Sequence, residues 1–570
     1  MAPTEPLRIG NASGFYGDRF SAVREMLEGG PLDVLTGDYL AELTMLILGR
    51  SLMKNPEHGY ARTFLSQMEE SLGLAMDRGV KVVSNAGGLN PKGLAGAMHE
   101  LGERLGLHPK IAYVEGDNLR ERASELDLGA PLTANAYLGG WGIAEAITRG
   151  ADVVVTGRVT DASVVVGPAA AHFGWARDDW DRLAGATVAG HILECGAQAT
   201  GGNYAFFKEI DARHPGFPLA EIHADGSSVI TKHPDTGGAV TVETVTAQLL
   251  YEIGSPRYAG PDVTSRFDTI ELTPDGTDRV RVSGVRGEPP PPSIKVCLNH
   301  LGGFRNSVVF VLCGLAIEEK AALVREQMEE ALEKQPAEIT WSLARTDRPS
   351  AATEEEASAF LRVTVKDADA TVVGKPFSQA AIELALASYP GFHVTAPPMD
   401  ASPYGVYTAA FVEPSQVHHT VVMPDGERVS IAPSETTQPL EDPPPLDAPE
   451  PPAAGATREA PLGLVAGARS GDKGGTGNIG VWARSDEGWR WLANALTVEE
   501  LKRLLPETAD LAVTRYLLPK LRAINFVVDG ILGEGVSSSS RFDPQGKALG
   551  EWLRSQTMEI PEALLPLSDV

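Results

Sequence analysis

VKVVSNAGGLNPKGLAGAMHELGERLGL, Val80 to Leu107, is the stretch from which the fold class is read. A short β-branched run is followed by a break at Ser84, Asn85, Gly87, Gly88 and Asn90, and then by apolar residues at helical spacing. The same order recurs on both sides. PLRIGNASG (Pro6–Gly14) reads as a strand ending in Gly10, Asn11, Ser13 and Gly14, ahead of a helical pattern in DRFSAVREMLEGG. LDVLTGDYLAELTMLILGR turns at Thr36, Gly37 and Asp38, while KIAYVEGDNL and ADVVVTGRVTDASVVVGPAAAHF supply strand ends at Glu115 to Asp117 and at Thr156 to Asp161. Strand, turn and helix in repeated alternation predict an α/β fold whose N-terminal sheet is largely parallel.

In a parallel α/β sheet the groups that do chemistry collect at the carboxyl ends of the strands. That makes Asn11, Ser13, Asp38, Asn85, Gly87 and Gly88 candidate substrate contacts, with Arg158 to hold negative charge and Asp161 to move a proton. Two readings stand. The loops line one cleft, or they are turn and cap chemistry, which favours the same residue types. The P-loop pattern GxxxxGK[ST] is absent and NASGFYGDR is not G-x-G-x-x-G, so a dinucleotide-dependent oxidoreductase is not expected.

VAGHILECGAQATGGNYAFF, Val188 to Phe207, places His191, Glu194 and Cys195 on a helix running into Gly201, Gly202 and Asn203. His191 and Cys195 share a helix face, where an imidazole lowers a thiol pKa. Cys195 has three readings: a catalytic thiolate, a substrate contact or a packed core residue. Glu194 is a candidate acid or base. Gly201 and Gly202 offer amides to developing negative charge, and Asn203 is a candidate substrate contact.

RSGDKGGTGN, Arg469 to Asn478, is the most unusual stretch of the C-terminal part, with four glycines around Asp472 and Lys473 between two apolar runs. It is either the lip of a ligand pocket, in which Ser470, Asp472, Lys473 and Asn478 contact substrate, or a hairpin loop whose charges pair with each other. YEIGSPRYAGPDV, Tyr251 to Val263, is mostly turn-forming and reads as structural.

The 570 residues exceed one core, and the formal net charge of −27 disfavours nucleic acid as a partner. Three cysteines, Cys195, Cys297 and Cys313, speak against a disulfide scaffold and for a cytoplasmic setting. Neither a signal peptide nor a long apolar span is found, so no membrane association is expected. No CxxC or HExxH spacing occurs, and the adjacent His418 and His419 point opposite ways on a strand, so no metal site is expected. Proline and acid at Ser434 to Pro461 read as a linker. The expected division is an N-terminal α/β region (1–218), a strand-rich second subdomain (219–433) of α/β or α+β type, the linker (434–461) and a C-terminal α+β domain (462–570).

The strand-end loops, TGRVTDAS (Thr156–Ser163), ECGAQATGGNY (Glu194–Tyr204) and LLYEIGSPRYAGPDV (Leu249–Val263) resemble those of the acyclic terpene utilisation protein A family. ARSGDKGGTGNIGVWAR and INFVVDGILGEGV resemble the small ferredoxin-like domain that accompanies it. The family's commoner form of this loop reads closer to RSGDKGNHANIG; here Gly475, Thr476 and Gly477 replace the more polar run, and its histidine is missing.

The resemblance implies work on branched or terpenoid acids as coenzyme A thioesters. On it, an enzyme of lyase, hydratase or thioester hydrolase type is expected, passing through an enolate or oxyanion, with coenzyme A as part of the substrate and no separate cofactor. The alternative is a non-catalytic acyl-CoA binding or scaffold subunit. A homo-oligomer is expected on general grounds.

Overall fold

The computed structural model describes residues 5–566. It comprises two compact units. The first is formed by Met1–Asn299, Tyr407–Val536 and Gln545–Val570, the second by His300–Val406 and Ser537–Pro544.

In the first unit the alternation read from the sequence is a doubly covered sheet. The strands up to Lys232 are β1 (Leu7–Asn11), β2 (Val34–Gly37), β3 (Lys81–Ser84), β4 (Ile111–Glu115), β5 (Thr133–Ala136), β6 (Val153–Thr156), β7 (Pro218–Ile222) and β8 (Ser228–Lys232). The order β1-β2-β3-β6-β4 is parallel throughout, with Ile9 beside Val34, Thr36 beside Val83, Val83 beside Val154 and Val114 beside Thr156. The connecting helices are α1 (Ala22–Gly29), α2 (Glu42–Lys54), α3 (Arg62–Asp77), α4 (Pro91–Leu105) and α5 (Trp141–Thr148). Five strand ends therefore open on one edge.

Antiparallel strands extend this sheet on both flanks to eleven, with β7 and β8 beyond β1 and Thr420–Val422 beyond β4. The sheet thus takes strands from both sides of residue 218. β5 leaves it and pairs instead with Val296–Asn299.

Two further helices, α6 (Ser163–Phe173) and α7 (Trp180–Glu194), are buried almost all round; α7 is buried from Leu183 to Glu194 without a break. A helix with no polar face belongs to a core. Glycine lets α7 come close to its neighbours: a Cβ at Gly190 would lie 2.8 Å from Cα of Ala162. This contact sets the last turn of α7 beside the loop carrying Arg158 and Asp161.

The C-terminal domain is a four-stranded antiparallel sheet, in the order Val513–Leu518, Ala523–Val528, Thr476–Ala483 and Ala466–Lys473, packed by helices Asp486–Ala495, Val498–Leu504 and Leu549–Arg554. RSGDKGGTGN is a β-hairpin here: Lys473 pairs with Thr476 and encloses Gly474, at φ +67°, and Gly475. Two-residue hairpins need positive φ, which explains a glycine at 474. Asp472 and Lys473 form no ion pair with each other among the described residues. Residues 434–456 carry no helix or strand but run along the first unit, where Pro290 accepts from the Gln438 amide and Glu441 from Arg257.

The domain docks on the rest of the first unit by apolar and polar contacts. Trp482, Leu518 and Ala523 belong to the same core as α6 and α7, and Tyr204 stacks on Trp482. Arg484 lies over the Phe206 ring and pairs with Glu209 and Glu243.

In the second unit, Phe304 to Cys313 pairs with Ser358–Asp367, which pairs with Glu338–Ala344. Helices Ile317–Ala331 and Lys375–Glu383 close its core over Phe310, Leu361 and Val363. No described helix is long and apolar enough to cross a membrane.

Candidate functional site

At the carboxyl edge of the parallel strands, side chains that the sequence scatters over several hundred residues meet. Arg158, 2% exposed, is at the centre. Its guanidinium donates to Asp161 at 2.8 Å and to the Leu40 carbonyl at 3.3 Å, and lies 4.4 Å above the Tyr137 ring. Asp117 fixes its backbone, accepting from the Arg158 amide at 2.9 Å and from Asn135 at 2.7 Å. Burial pushes the Asp117 carboxyl up to about 6.

Around Arg158 the carboxyl groups split by environment. Burial and the nearby Asp161 hold Asp38 well above the usual range, although Asn85 donates to it at 2.5 Å. Burial would also raise Glu42, but Lys295 and Arg158 outweigh it and hold that group at about 2, with the Tyr137 hydroxyl donating to it at 2.8 Å. Environments that push carboxyl groups apart in this way are characteristic of acid and base pairs.

The end of α7 adds the second centre. His191 Nδ1 lies 3.0 Å from Glu194 Oε1, while His191 Nε2 and Glu194 Oε2 are buried with no hydrogen-bond partner. Burial lowers the imidazole to about 4, helped by the charge of Lys473, and burial with Asp161 and Glu252 raises Glu194 well above its ordinary value. Both shifts favour the neutral form of the group. The rings of Tyr258 and Phe267 pack on the imidazole, with centroids 5.3 Å and 5.4 Å away. Two buried orphaned atoms on one hydrogen-bonded pair demand an explanation, because each costs about 1–3 kcal/mol.

Cys195 stands next to this pair, but the activated thiolate considered from the sequence does not fit. Burial and the Glu194 and Glu252 carboxyls push its thiol well up, and the imidazole that was to lower it is turned to Glu194.

The hairpin of the C-terminal domain closes the same site. Asn478 accepts from the Glu252 amide at 2.9 Å and donates to Leu250 at 2.8 Å and to Asn525 at 2.9 Å. Gly471 is needed for this contact, since a Cβ there would lie 2.6 Å from Tyr251. Glu252, a non-glycine residue at φ +53°, is held in a backbone conformation that costs energy and clusters at functional sites. Arg469 lies 4.4 Å over Tyr251, and the exposed Lys473 reaches Tyr258 at 5.6 Å. Asp472 is pushed up to about 8 by burial and by Glu252 and Glu42, against the pull of Lys547.

Of the residues picked out from sequence, Asp38, Arg158, Asp161, Glu194, Cys195, Asp472 and Lys473 come together. Others build the frame. Asn11 donates to the carbonyls of Leu193 and Glu194, pinning the end of α7, and Asn85 accepts from the Tyr39 amide. Ser13 donates to Phe15, and Ser470 accepts from the Gly550 amide. Gly87, where a Cβ would lie 2.4 Å from the Thr156 carbonyl, and Gly88, at φ +54°, let the turn after β3 lie against β6. The oxyanion role expected of Gly201 and Gly202 is corrected: their amides already donate to Gln198 and Ala197. Asn203 is exposed and donates to Gln198.

Glu42, Tyr137, Lys295 and Tyr407 were not picked out from sequence, and Tyr251, Glu252 and Tyr258 were read as turn structure. Lysine inside the apolar strand SIKVCL was the one local signal. Among the described residues no group of three His, Cys, Asp or Glu side chains is arranged to hold a metal ion.

The family described as acyclic terpene utilisation family protein AtuA has a model that matches residues 7–423. The chain belongs to the AtuA family. Residues 460–559 match the AtuA ferredoxin-like domain, so the site draws on both AtuA parts: Arg158, His191, Glu194 and Glu252 from the first, Arg469, Asp472 and Lys473 from the second. No curated protein matches the chain. Membership ties the AtuA chain to acyclic terpene utilisation in the broad sense.

Asp472 offers a test of this electrostatic picture. Its folded pKa is about 8 against an ordinary 3.8, so the folded chain keeps a proton that the unfolded chain has released. Stability is whole below pH 4, falls as pH rises from there, and levels off above about pH 8. Asp472→Asn is expected to raise the melting temperature at pH 8 by about 3 °C and to leave it unchanged at pH 4, read by calorimetry. An equal shift at both pH values contradicts the buried acid.

Proposed function

We propose that the chain is an enzyme of acyclic terpenoid utilisation that moves a proton at the carbon next to a carboxylate or thioester carbonyl, in lyase or hydratase chemistry through an enolate. The observation that carries this reading is the hydrogen-bonded His191 and Glu194 pair, in which each member keeps one buried atom without a partner. With Nδ1–H donating to Glu194 Oε1, His191 Nε2 is a free base and the Glu194 Oε2 hydroxyl a free acid. A proton taken at Nε2 is then balanced by one released at Oε2, and the buried pair never carries net charge.

Arg158 supplies fixed positive charge where an enolate oxygen develops, and burial strengthens it. Asp161, whose side chain is 30% exposed, orients that guanidinium. Lys473, exposed at the rim, suits the anionic end of a branched acid or of its coenzyme A thioester. The neutral thiol of Cys195 favours proton transfer over thioester hydrolysis through an acyl-cysteine.

Incubation of the full chain with a panel of branched acids and acyl-CoA thioesters, followed by mass spectrometry, tests the reading. Elimination or addition of water on at least one member is expected. Tight binding with no turnover, with or without added divalent metal, would leave a binding subunit in its place. Lys473→Ala is expected to weaken binding of the thioester about tenfold with the melting temperature nearly unchanged, since the side chain is exposed. A large thermal loss would make the lysine structural.

A further inference from the structure

A second chemical group shares the Tyr137 ring with Arg158 and is unused by that proton relay. Lys295 sits on the strand Ile294–Cys313, immediately after the proline run at 289–292. Its backbone is fixed, because its carbonyl accepts from the Tyr137 amide at 3.0 Å and the next residue, Val296, pairs with Ala136. Its side chain lies between two phenol rings, with Nζ 4.9 Å from the centroid of Tyr137 and 5.7 Å from that of Tyr407.

The surroundings ease the release of a proton from its ammonium group. Among the described residues Nζ makes no hydrogen bond and no ion pair. Glu42, the acid whose charge it feels, is already engaged by the Tyr137 hydroxyl. Arg158 occupies the same Tyr137 ring at 4.4 Å, so two cations would have to share one aromatic partner. A half-buried lysine placed beside fixed positive charge loses its proton readily. Burial lowers its pKa, and repulsion from Lys473 and Arg158 adds to this against the pull of Glu42.

We infer that Lys295 is a covalent amine catalyst, forming an imine with the carbonyl carbon of an oxo acid whose carboxylate is held by Arg158 and Lys473. The inference rests on the reading of this cluster as a catalytic site. The unprotonated Nζ attacks the carbonyl carbon; a C–N bond forms and the carbonyl oxygen becomes the hydroxyl of a carbinolamine. The C–O bond then breaks, and the oxygen leaves as water with the two protons that began on Nζ. No electrons are gained or lost overall. The phenol of Tyr407, buried beside that of Tyr137, is placed to protonate the departing oxygen and the imine nitrogen. A protonated imine draws electrons from the adjacent carbon, where His191 and Glu194 exchange the proton. This widens the substrate class from thioesters to aldehydes and ketones bearing a carboxylate.

The test is reductive trapping on the full chain. Acetoacetate or 4-oxopentanoate is added with sodium borohydride at pH 7, and the digest is mapped by mass spectrometry. One secondary-amine adduct on the Lys295 peptide is expected, absent from Lys295→Arg and retained in Glu194→Gln. Reductive methylation with formaldehyde serves as a probe with no fit requirement: Lys295 is expected to react about tenfold faster at pH 7 than surface lysines, as a lowered pKa requires. Adducts confined to surface lysines, together with ordinary methylation of Lys295, would overturn the imine. In that case turnover of thioesters by Lys295→Arg would leave the proton-transfer reading standing. An adduct on Lys295 without any proton exchange in the wild type would do the reverse.

Discussion

Glu194→Gln is expected to lower kcat by about 10² to 10⁴, the range over which a positioned acid or base acts, while the melting temperature changes by less than about 2 °C. The two halves of this expectation come from one fact. Burial, with Asp161 and Glu252, favours the neutral form of Glu194, so a neutral amide of the same shape replaces it with little disturbance. The amide still accepts from His191 Nδ1, which lies 3.0 Å from Oε1, and it still fills the end of α7. What it lacks is the acidic proton on Oε2 that the relay must release. Steady-state kinetics on any turned-over substrate and a thermal melt check both halves. A variant that loses stability and activity together would instead mark Glu194 as an ionised structural partner of His191.

Arg158→Met is expected to cost about 3–5 kcal/mol of stability, because it strips a buried ion pair of one member and leaves the other uncompensated. Asp161 loses its 2.8 Å partner, and Asp38 and Glu42 lose the positive charge that offsets their burial. The Tyr137 ring loses the guanidinium stacked on it. Denaturant unfolding of the purified variant reads the loss. The double variant Arg158→Met with Asp161→Asn is expected to recover part of it, since the stranded carboxylate goes too. A loss below about 1 kcal/mol, or no recovery in the double variant, contradicts a charge-balanced centre.

Much of the fold is legible because its signals are local. Val80, Val82 and Val83 before Asn85 and Gly87, or Val153 to Val155 before Gly157, mark a strand end whatever lies elsewhere in the chain. The addition of β7 and β8 to the sheet is not local: nothing in PLAEI says that Ile222 pairs with Leu7 more than 200 residues earlier. The site divides in the same way. Arg158, Asp161 and Glu194 stand out because charged residues sit at strand and helix ends. Glu252 was hidden in a glycine and proline turn, and only its positive φ and its contact with Asn478 distinguish it. The glycines at 201 and 202 misled for a related reason: whether an amide is free depends on the carbonyl that folds back on it, here Gln198 and Ala197. The hairpin glycines likewise serve close packing, with Gly471 on Tyr251 and Gly480 on Leu250, more than they bare amides for a ligand.

The central claim is that the buried imidazole and carboxyl pair moves a proton at a carbon next to a carbonyl. Deuterium wash-in tests it most directly: the wild-type chain is incubated in D2O with branched acyl-CoA thioesters and their free acids, and the recovered compounds are weighed by mass spectrometry. The account predicts incorporation of deuterium at that carbon in at least one compound, slowed about 100-fold or more in Glu194→Gln. A compound that binds the wild-type chain yet returns with neither deuterium nor any change in mass would contradict it.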